Sequence, residues 1–323
     1  MARPKVFVTR KIFTEALDRI SQAADMEVWP EELPPPYPVL VEKASHADGL
    51  LSMLVDKLDA NLMEKSPRLK VISSMAVGHD NIDVAAATRR NIRIGYTPGV
   101  LTETTADLIF GLLMAGARRI VEADKYVRDE QWKTWTPMGL LGQDIHHATL
   151  GIIGLGRIGL EVARRALGFN MKILYYSRTR KTPAEEKQLS LEYVDRMPEL
   201  LSRADFISLH VPLTQETHHL IGAKEFAVMK PTAIFINASR GAVTDQRALY
   251  EALKNRRILS AAIDVTETEP IPPDDPLLSL DNLIITPHIG SASVLTRKKM
   301  ALMATDNLLA GLRGEPLPNC LNP

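Results

Sequence analysis

Short runs of apolar and β-branched residues alternate with longer helical patterns along the whole chain. A first series of such runs lies at residues 5–9, 26–29, 49–52, 71–74 and 92–95. A second series lies at residues 149–153, 172–176, 206–210, 233–237, 260–265 and 283–286. Continuous apolar runs separated by helical segments are typical of buried parallel strands with crossover helices. The pattern therefore predicts an α/β protein with two Rossmann-like or flavodoxin-like, doubly wound parallel-sheet domains.

The two series suggest where the chain divides. After residue 287 a final amphipathic pattern predicts a helix over residues 293–313. We expect this tail to return to the first series. One domain would then be discontinuous, formed by residues 1–100 and 288–323, and would bind the substrate. Residues 101–287 would form a dinucleotide-binding domain.

Residues 102–127 read as one long helix whose middle, residues 108–117, is apolar nearly all round. A helix of that kind is buried on more than one side, and we expect a second domain or a partner subunit to cover it. Residues 132–143, with two tryptophans, a proline and two glycines, would form an ordered arm. Together these segments predict a homodimer, since two-fold dimers are the commonest assemblies.

Composition excludes several classes of function. The 323 residues carry 39 Lys and Arg against 39 Asp and Glu, so charge gives no reason to expect nucleic acid or an acidic membrane as a partner. The single cysteine, Cys320, and the lack of a leader-like or bilayer-length apolar run favour the cytoplasm. The adjacent histidine pairs 146–147 and 218–219 would face different ways on regular structure, so no metal site is expected.

A glycine fingerprint opens the second series. Gly154, Gly156 and Gly159 fall between the strand at 149–153 and a helix over residues 158–167. The first glycine permits a tight turn, the second lets backbone approach a pyrophosphate, and the third lets helix and strand pack closely. The alternative is a strand–helix turn with incidental glycines. The strand and helix on either side favour a dinucleotide site.

The next strand, at 172–176, ends without the acidic residue that usually accepts from the ribose hydroxyls of NAD. Ser177, Arg178, Thr179 and Arg180 follow instead. Hydroxyls and guanidinium groups suit a phosphate, so the sequence predicts NADP as the preferred cofactor, with NAD as a second cofactor. The alternative is a solvated basic loop.

Three residues of complementary chemistry follow later strands: Arg240, Glu269 and His288. Reducing a 2-keto acid requires a cation for its carboxylate and a proton for its ketone oxygen. Arg240 would supply the first and His288 the second, while Glu269 would hold the other imidazole nitrogen and favour imidazolium. Taken singly, each residue fits a structural role better: a surface salt bridge, a proline loop, a turn. Their position at successive strand ends favours one ligand site.

These residues carry a resemblance. Over nearly its full length the chain resembles the D-isomer-specific 2-hydroxyacid dehydrogenases, and it is most similar to the glyoxylate/hydroxypyruvate reductases, including the 2-ketogluconate reductase (bacterial type B) branch. The family motifs are VGHDNID at 77–83, TPGVLTETTAD at 97–107, GLGRIG at 154–159, NASRG at 237–241, DVTETEP at 264–270 and PHIGS at 287–291. Similarity to the branch rests on DIHH at 144–147, ETHH at 216–219 and NCLNP at 319–323.

The resemblance implies roles for individual residues. Arg240 would bind substrate, Glu269 would assist and His288 would donate the proton. Val77 and Gly78 would offer backbone N–H groups to the substrate carboxylate, and Trp135 would reach the substrate in the partner subunit. The expected cofactor contacts are Thr105, Gly154, Leu155, Gly156, Arg157, Ile158, Gly159, Ser177, Arg178, Thr179, Arg180, His210, Val211, Pro212, Thr217, Ala238, Ser239, Arg240, Asp264, His288 and Gly290, with Asp264 on the nicotinamide carboxamide. Thr266 departs from the family, which usually has Phe there.

The function that these expectations imply is NADPH-preferring reduction of glyoxylate, hydroxypyruvate and 2-ketogluconate to D-2-hydroxy acids. Two alternatives stay open. Relatives of this fold serve as dinucleotide-sensing corepressors that bind proteins, although this chain has no long disordered extension. An NAD-dependent D-2-hydroxyacid dehydrogenase with another substrate is the second alternative.

Overall fold

Two all-parallel sheets organise residues 3–323, the part of the chain that the computed structural model describes. The strands are β1 (Lys5–Val8), β2 (Asp25–Val28), β3 (Gly49–Ser52), β4 (Val71–Ser74), β5 (Arg93–Gly95), β6 (Thr149–Ile153), β7 (Lys172–Tyr176), β8 (Leu191–Tyr193), β9 (Phe206–Leu209), β10 (Ile234–Asn237), β11 (Ser260–Ile263) and β12 (Leu283–Ile285). The fold class is the one that the apolar runs predict. The short strand β8 was not predicted.

Helices connect the strands. They are α1 (Thr14–Ala23), α2 (Tyr37–His46), α3 (Ala60–Glu64), α4 (Val84–Arg89), α5 (Thr102–Ala117), α6 (Ile120–Arg128), α7 (Arg157–Leu167), α8 (Pro183–Gln188), α9 (Met197–Arg203), α10 (Ala223–Val228), α11 (Gln246–Lys254) and α12 (Val294–Leu312). Two 3₁₀ turns lie at Gly241–Val243 and Pro276–Ser279. Among the helices of the described chain, none is both long enough and apolar enough to cross a membrane.

The first unit comprises the residues up to Leu101 together with Ala292–Pro323. Its sheet has the order β2-β1-β3-β4-β5. Successive residues of β1 and β4 enter two different apolar clusters, since both faces of the sheet are covered by helices. The tail helix α12 belongs to this unit because the Ser73 hydroxyl donates to the Ala304 carbonyl at 2.7 Å and the Asn307 amide donates to the Tyr96 carbonyl at 2.9 Å.

The second unit, Thr102–Ser291, has the sheet order β12-β11-β10-β9-β6-β7-β8. The chain winds outward from β6 in one direction and then from β9 in the other. The carboxyl ends of β6 and β9 therefore flank the crevice where open α/β sheets bind ligands. Residues 288–291, which we expected in the first domain, lie in this unit because the backbone N–H groups of His288, Ile289 and Gly290 all donate to Asp264.

The long helix predicted over residues 102–127 is two helices. Arg119, between α5 and α6, has a left-handed φ of 52°, and the Ala117 carbonyl at the end of α5 accepts from Gln143 N at 2.8 Å. α5 is buried in its own unit, where it packs on α7, β10 and β11. Packing within its own unit accounts for the buried residues of α5, and cover by a second domain or a partner subunit stays a prediction.

Candidate active site

The turn after β6 leaves an open space in front of α7. Gly154 has a φ of +93°, and a Cβ there would lie 2.9 Å from the His210 carbonyl. Gly156 immediately precedes α7, and a Cβ at that position would meet nothing within 4 Å. A Cβ on Gly159 would lie 2.6 Å from the Gly154 carbonyl oxygen. Free N–H groups of α7 and unobstructed backbone fit a dinucleotide pyrophosphate.

Residues after β9 form the other wall of this turn. The His210 ring nitrogen Nε2 lies 2.8 Å from the Ser208 hydroxyl, and burial lowers the pKa of His210 to about 3. The ring is therefore uncharged at neutral pH. Farther along, the Thr217 hydroxyl donates to the Pro212 carbonyl at 2.6 Å and accepts from Thr214 N at 2.8 Å, which closes the loop.

The loop after β7 presents basic side chains to solvent. Arg178, Thr179 and Arg180 are exposed and Ser177 is half-buried. The Arg180 guanidinium is bound to the Glu186 carboxylate, with Nε 2.8 Å from Oε1 and Nη2 3.0 Å from Oε2. Glu186 was not predicted from the sequence as part of this loop.

Arg240 follows β10 in a loop held by one asparagine. Asn237 accepts from Ser239 N at 2.9 Å and from the Ser239 hydroxyl at 2.8 Å, and its amide donates to the Arg240 carbonyl at 3.0 Å. A Cβ on Gly241 would lie 2.0 Å from the Thr266 carbonyl, so only glycine fits. This close approach puts the loop of Arg240 against the turn that leads to Glu269.

Asp264, which is buried, organises the loop after β12. Its Oδ1 accepts from the Thr286 hydroxyl at 2.5 Å and from Ile289 N at 2.8 Å, and its Oδ2 accepts from Gly290 N at 2.8 Å. A Cβ on Gly290 would lie 3.4 Å from the Thr105 side chain, so that threonine is next to the same loop. Asp264 thus fixes the segment that carries His288.

His288 and Glu269 form a hydrogen-bonded pair. The distance from His288 Nδ1 to Glu269 Oε2 is 2.7 Å, and both side chains are about a quarter exposed, at 28% and 27%. The other carboxylate oxygen of Glu269 accepts from Thr266 N at 3.2 Å. Since Glu269 engages Nδ1, the nitrogen Nε2 is left for a ligand. The arrangement can hold a proton donor at the carboxyl edge of the sheet.

Other candidate residues lie elsewhere. Val77 and Gly78 follow β4 in the first unit, and Trp135 is 77% exposed on the arm. Within residues 3–323 no group of three or more His, Cys, Asp or Glu side chains could hold a metal ion. The expectation that neighbouring histidines face apart was made for regular structure; His218 and His219 lie in a turn, where their rings stack at 4.0 Å.

Two residues that shape the site were not predicted from the sequence: Ser208 and Thr286. Each is a hydroxyl-bearing residue at or just after a strand end, beside a residue that was singled out. A search for Ser and Thr within three residues of each candidate would have found them.

Comparison with known proteins places the chain in a family. The model of the D-isomer specific 2-hydroxyacid dehydrogenase NAD binding domain matches residues 110–290. A glyoxylate reductase of Korarchaeum cryptofilum is 53% identical over 321 residues, which cover 99% of this chain and 96% of that protein.

Solved structures agree over nearly the whole length. A protein of Thermus thermophilus is 45% identical with a TM-score of 0.91, covering 98% of this chain and 99% of its own. The NADPH-dependent glyoxylate/hydroxypyruvate reductase of Sinorhizobium meliloti, solved with NADP and malonate, is 31% identical with a TM-score of 0.87, covering 99% and 97%. The chain belongs to the D-isomer specific 2-hydroxyacid dehydrogenase family and is an NAD(P)-dependent oxidoreductase.

Proposed function

We propose that this enzyme reduces glyoxylate and hydroxypyruvate, with 2-ketogluconate as a further substrate, to D-2-hydroxy acids and prefers NADPH to NADH. The observation that carries the proposal is the 2.7 Å pair of His288 Nδ1 and Glu269 Oε2. The names of the Korarchaeum and Sinorhizobium relatives support the substrate class. A single cysteine, Cys320, and a reduced nucleotide as reductant favour the cytoplasm as the compartment.

The pair supports His288 as the proton donor. Glu269 holds Nδ1, which leaves Nε2 of His288 to donate a proton to the ketone oxygen as the substrate is reduced. The bound nicotinamide supplies the hydride. Asp264 keeps the His288 loop in place through the backbone of Ile289 and Gly290. Its Oδ2 accepts only one of these bonds, which leaves a lone pair for a carboxamide N–H.

The substrate carboxylate needs donors. Arg240 offers a fork of N–H groups that matches a carboxylate, and its loop is held against the turn of Glu269 through Gly241. We assign the backbone N–H groups of Val77 and Gly78 to substrate binding by the first unit. Cofactor binding is assigned to Thr102–Ser291, which also carries Arg240.

The preference for NADPH rests on the loop after β7, where Arg178 is exposed. A hydrogen bond to a charged group contributes roughly 1.5–3 kcal/mol net, which corresponds to a preference of about tenfold to a hundredfold. Arg178→Ala should raise the KM for NADPH by about tenfold or more and change that for NADH little. Ser177→Asp should raise it further, because a carboxylate repels the 2′-phosphate. Equal effects on both cofactors would contradict this assignment.

We propose a homodimer whose interface includes α6 and the arm. Large apolar side chains are exposed on α6 and on the arm: Ile120, Val121, Val127, Trp132, Trp135, Met138 and Leu141. A patch of this kind marks an interaction site, and a second copy would cover it and bring Trp135 to the partner's substrate. Light scattering at micromolar concentration should give twice the chain mass of 35.8 kDa. A monomer mass would refute the dimer.

One experiment tests the proposal as a whole: kcat/KM for a panel of 2-keto acids with NADPH and with NADH. We expect glyoxylate and hydroxypyruvate to lead the panel and NADPH to be preferred. A protein that binds dinucleotide but turns over none of these acids would have another substrate. Equal use of NADH would refute the cofactor preference alone.

A further inference from the structure

A buried tyrosine connects the loop after β7 to the helix that follows it. The hydroxyl of Tyr175 donates to Glu186 Oε1 at 2.7 Å and accepts from Lys181 N at 2.8 Å. Burial and then the bond to Glu186 raise the pKa of Tyr175 to about 12, so the phenol remains a donor at neutral pH. The start of α8 and the end of the loop are thus fixed to one another.

Glu186 also binds Arg180. The contact is bidentate, at 2.8 Å and 3.0 Å, and the guanidinium lies 5.1 Å from the centre of the Tyr193 ring. The Glu186 side chain is only 12% exposed, whereas that of Arg180 is 60% exposed. A bidentate pair with a stacked guanidinium is the strong form of an arginine–carboxylate contact.

Arg178, two residues earlier on the same loop, is in a different situation. Within residues 3–323 Arg178 makes no hydrogen bond or ion pair with the protein. Its charge acts on Glu216, where it contributes to lowering the pKa of that carboxyl. The two arginines that the sequence offers to a 2′-phosphate are therefore unequal: one is available, and the other is bound to a carboxylate.

We propose that Glu186 determines cofactor selectivity by withholding Arg180 from the adenosine 2′-phosphate. Arg178 then supplies the cation, and the preference for NADP over NAD is smaller than two arginines would give. This inference rests on the proposed placement of the 2′-phosphate at the loop after β7. The carboxylate acts in two ways, since it occupies the N–H groups that a phosphate would use and places a negative charge beside it.

The test is direct binding of NADP⁺ and NAD⁺ by calorimetry, which does not depend on turnover. Glu186→Gln keeps an oxygen for the Tyr175 hydroxyl and removes the charge that holds Arg180. We expect the Kd for NADP⁺ to fall about threefold to tenfold, as for one added partly exposed charge-assisted contact, with the Kd for NAD⁺ unchanged. Glu186→Ala should act in the same direction and serves if the glutamine variant folds poorly.

Two controls separate release of Arg180 from loosening of the loop. Tyr175→Phe removes the hydrogen bonds of the phenol but leaves Arg180 bound to Glu186, so it should not lower the Kd for NADP⁺. Adding Arg180→Ala to Glu186→Gln should cancel the gain. If neither neutral variant of Glu186 tightens NADP⁺ relative to NAD⁺, or if Tyr175→Phe tightens it equally, the proposal is wrong.

Arg178→Ala tells this failure apart from failure of the proposed function. If Arg178→Ala weakens NADP⁺ selectively while Glu186→Gln has no effect, the 2′-phosphate lies at this loop and only the role of Glu186 is refuted. If Arg178→Ala weakens the binding of neither nucleotide and Glu186→Gln has no effect, the 2′-phosphate is bound elsewhere. Both the placement of the 2′-phosphate at this loop and the role of Glu186 are then refuted.

Discussion

Two histidine–glutamate pairs lie close together in the second unit. His288 Nδ1 is 2.7 Å from Glu269, and His219 Nε2 is 2.8 Å from Glu267, two residues earlier. Both histidines have a left-handed φ, of 53° and 51°. By distance and backbone alone the pairs would be interchangeable.

Their surroundings differ. Glu267 is bound to the start of α11, because its Oε1 accepts from Gln246 N at 3.0 Å and its own N–H donates to the Gln246 side chain at 3.0 Å. The engaged imidazole nitrogen is also the opposite one: Glu267 occupies the distal Nε2 of His219, whereas Glu269 occupies the proximal Nδ1 of His288. Only in His288 is the distal nitrogen, Nε2, left for a ligand. A histidine–carboxylate distance therefore does not identify a proton donor by itself.

The largest expected effect separates the two histidines. His288→Gln or His288→Ala should lower kcat on glyoxylate by about 10²–10⁴-fold, the usual contribution of general acid catalysis, with cofactor binding nearly intact. His219→Gln, the matched change in the other pair, should alter kcat by less than about threefold, because Glu267 stays bound to Gln246. Steady-state kinetics and calorimetry with NADP⁺ measure both effects. Wild-type kcat in a folded His288→Ala protein would exclude His288 as the acid.

The glutamates give the second prediction. Glu269→Gln removes the carboxylate charge that holds His288 Nδ1, so kcat on glyoxylate should fall by a smaller factor than the roughly 10²–10⁴-fold expected for His288→Ala, with the KM for glyoxylate changing little. Glu267→Gln should leave kcat in place and affect stability alone. An unchanged kcat in Glu269→Gln would show that the pairing does not position the proton donor. Equal losses of kcat in both variants would mean that the two pairs are coupled.

Much of this fold follows from the sequence because burial is encoded locally. β3, β4, β6 and β7 have the predicted bounds, since each is a continuous apolar or β-branched run between polar turns. The break between α5 and α6 could not be predicted in this way. It depends on a left-handed Arg119, a residue type without preference for that conformation, and on Gln143, which takes the Ala117 carbonyl from a distant part of the chain.

The candidate site likewise has residues that the sequence predicts and contacts that it does not predict. Arg240, Glu269 and His288 could be singled out because they follow predicted strands, where ligands bind in open sheets. The hold of Glu186 on Arg180 could not, since it depends on how the loop folds back on α8. The sequence also could not predict which ring nitrogen is engaged in each histidine pair, because ring orientation depends on side-chain torsions and on the groups around each loop rather than on spacing.

A third histidine, His210, gives the smallest expected effect and sharpens the comparison, because its hydrogen-bond partner is the Ser208 hydroxyl rather than a carboxylate. Burial lowers its pKa from 6.5 to about 3 in the folded protein. Below pH 6.5 the unfolded chain therefore binds a proton at His210, whereas the folded protein does not. The contribution of His210 to the free energy of unfolding is fully present above pH 6.5. It is lost as the pH falls toward 3, at up to about 1.4 kcal/mol per pH unit.

Between pH 7 and pH 5 this one group should lower the free energy of unfolding by about 2 kcal/mol. Urea titrations at the two pH values measure the loss, and His210→Gln, which cannot be protonated, should lose about that much less than the wild type. His219→Gln is the control for replacing an exposed histidine that has a carboxylate partner. If His210→Gln and the wild type lose the same amount, His210 is protonated in the folded protein, and burial without a carboxylate does not keep a histidine neutral in this unit.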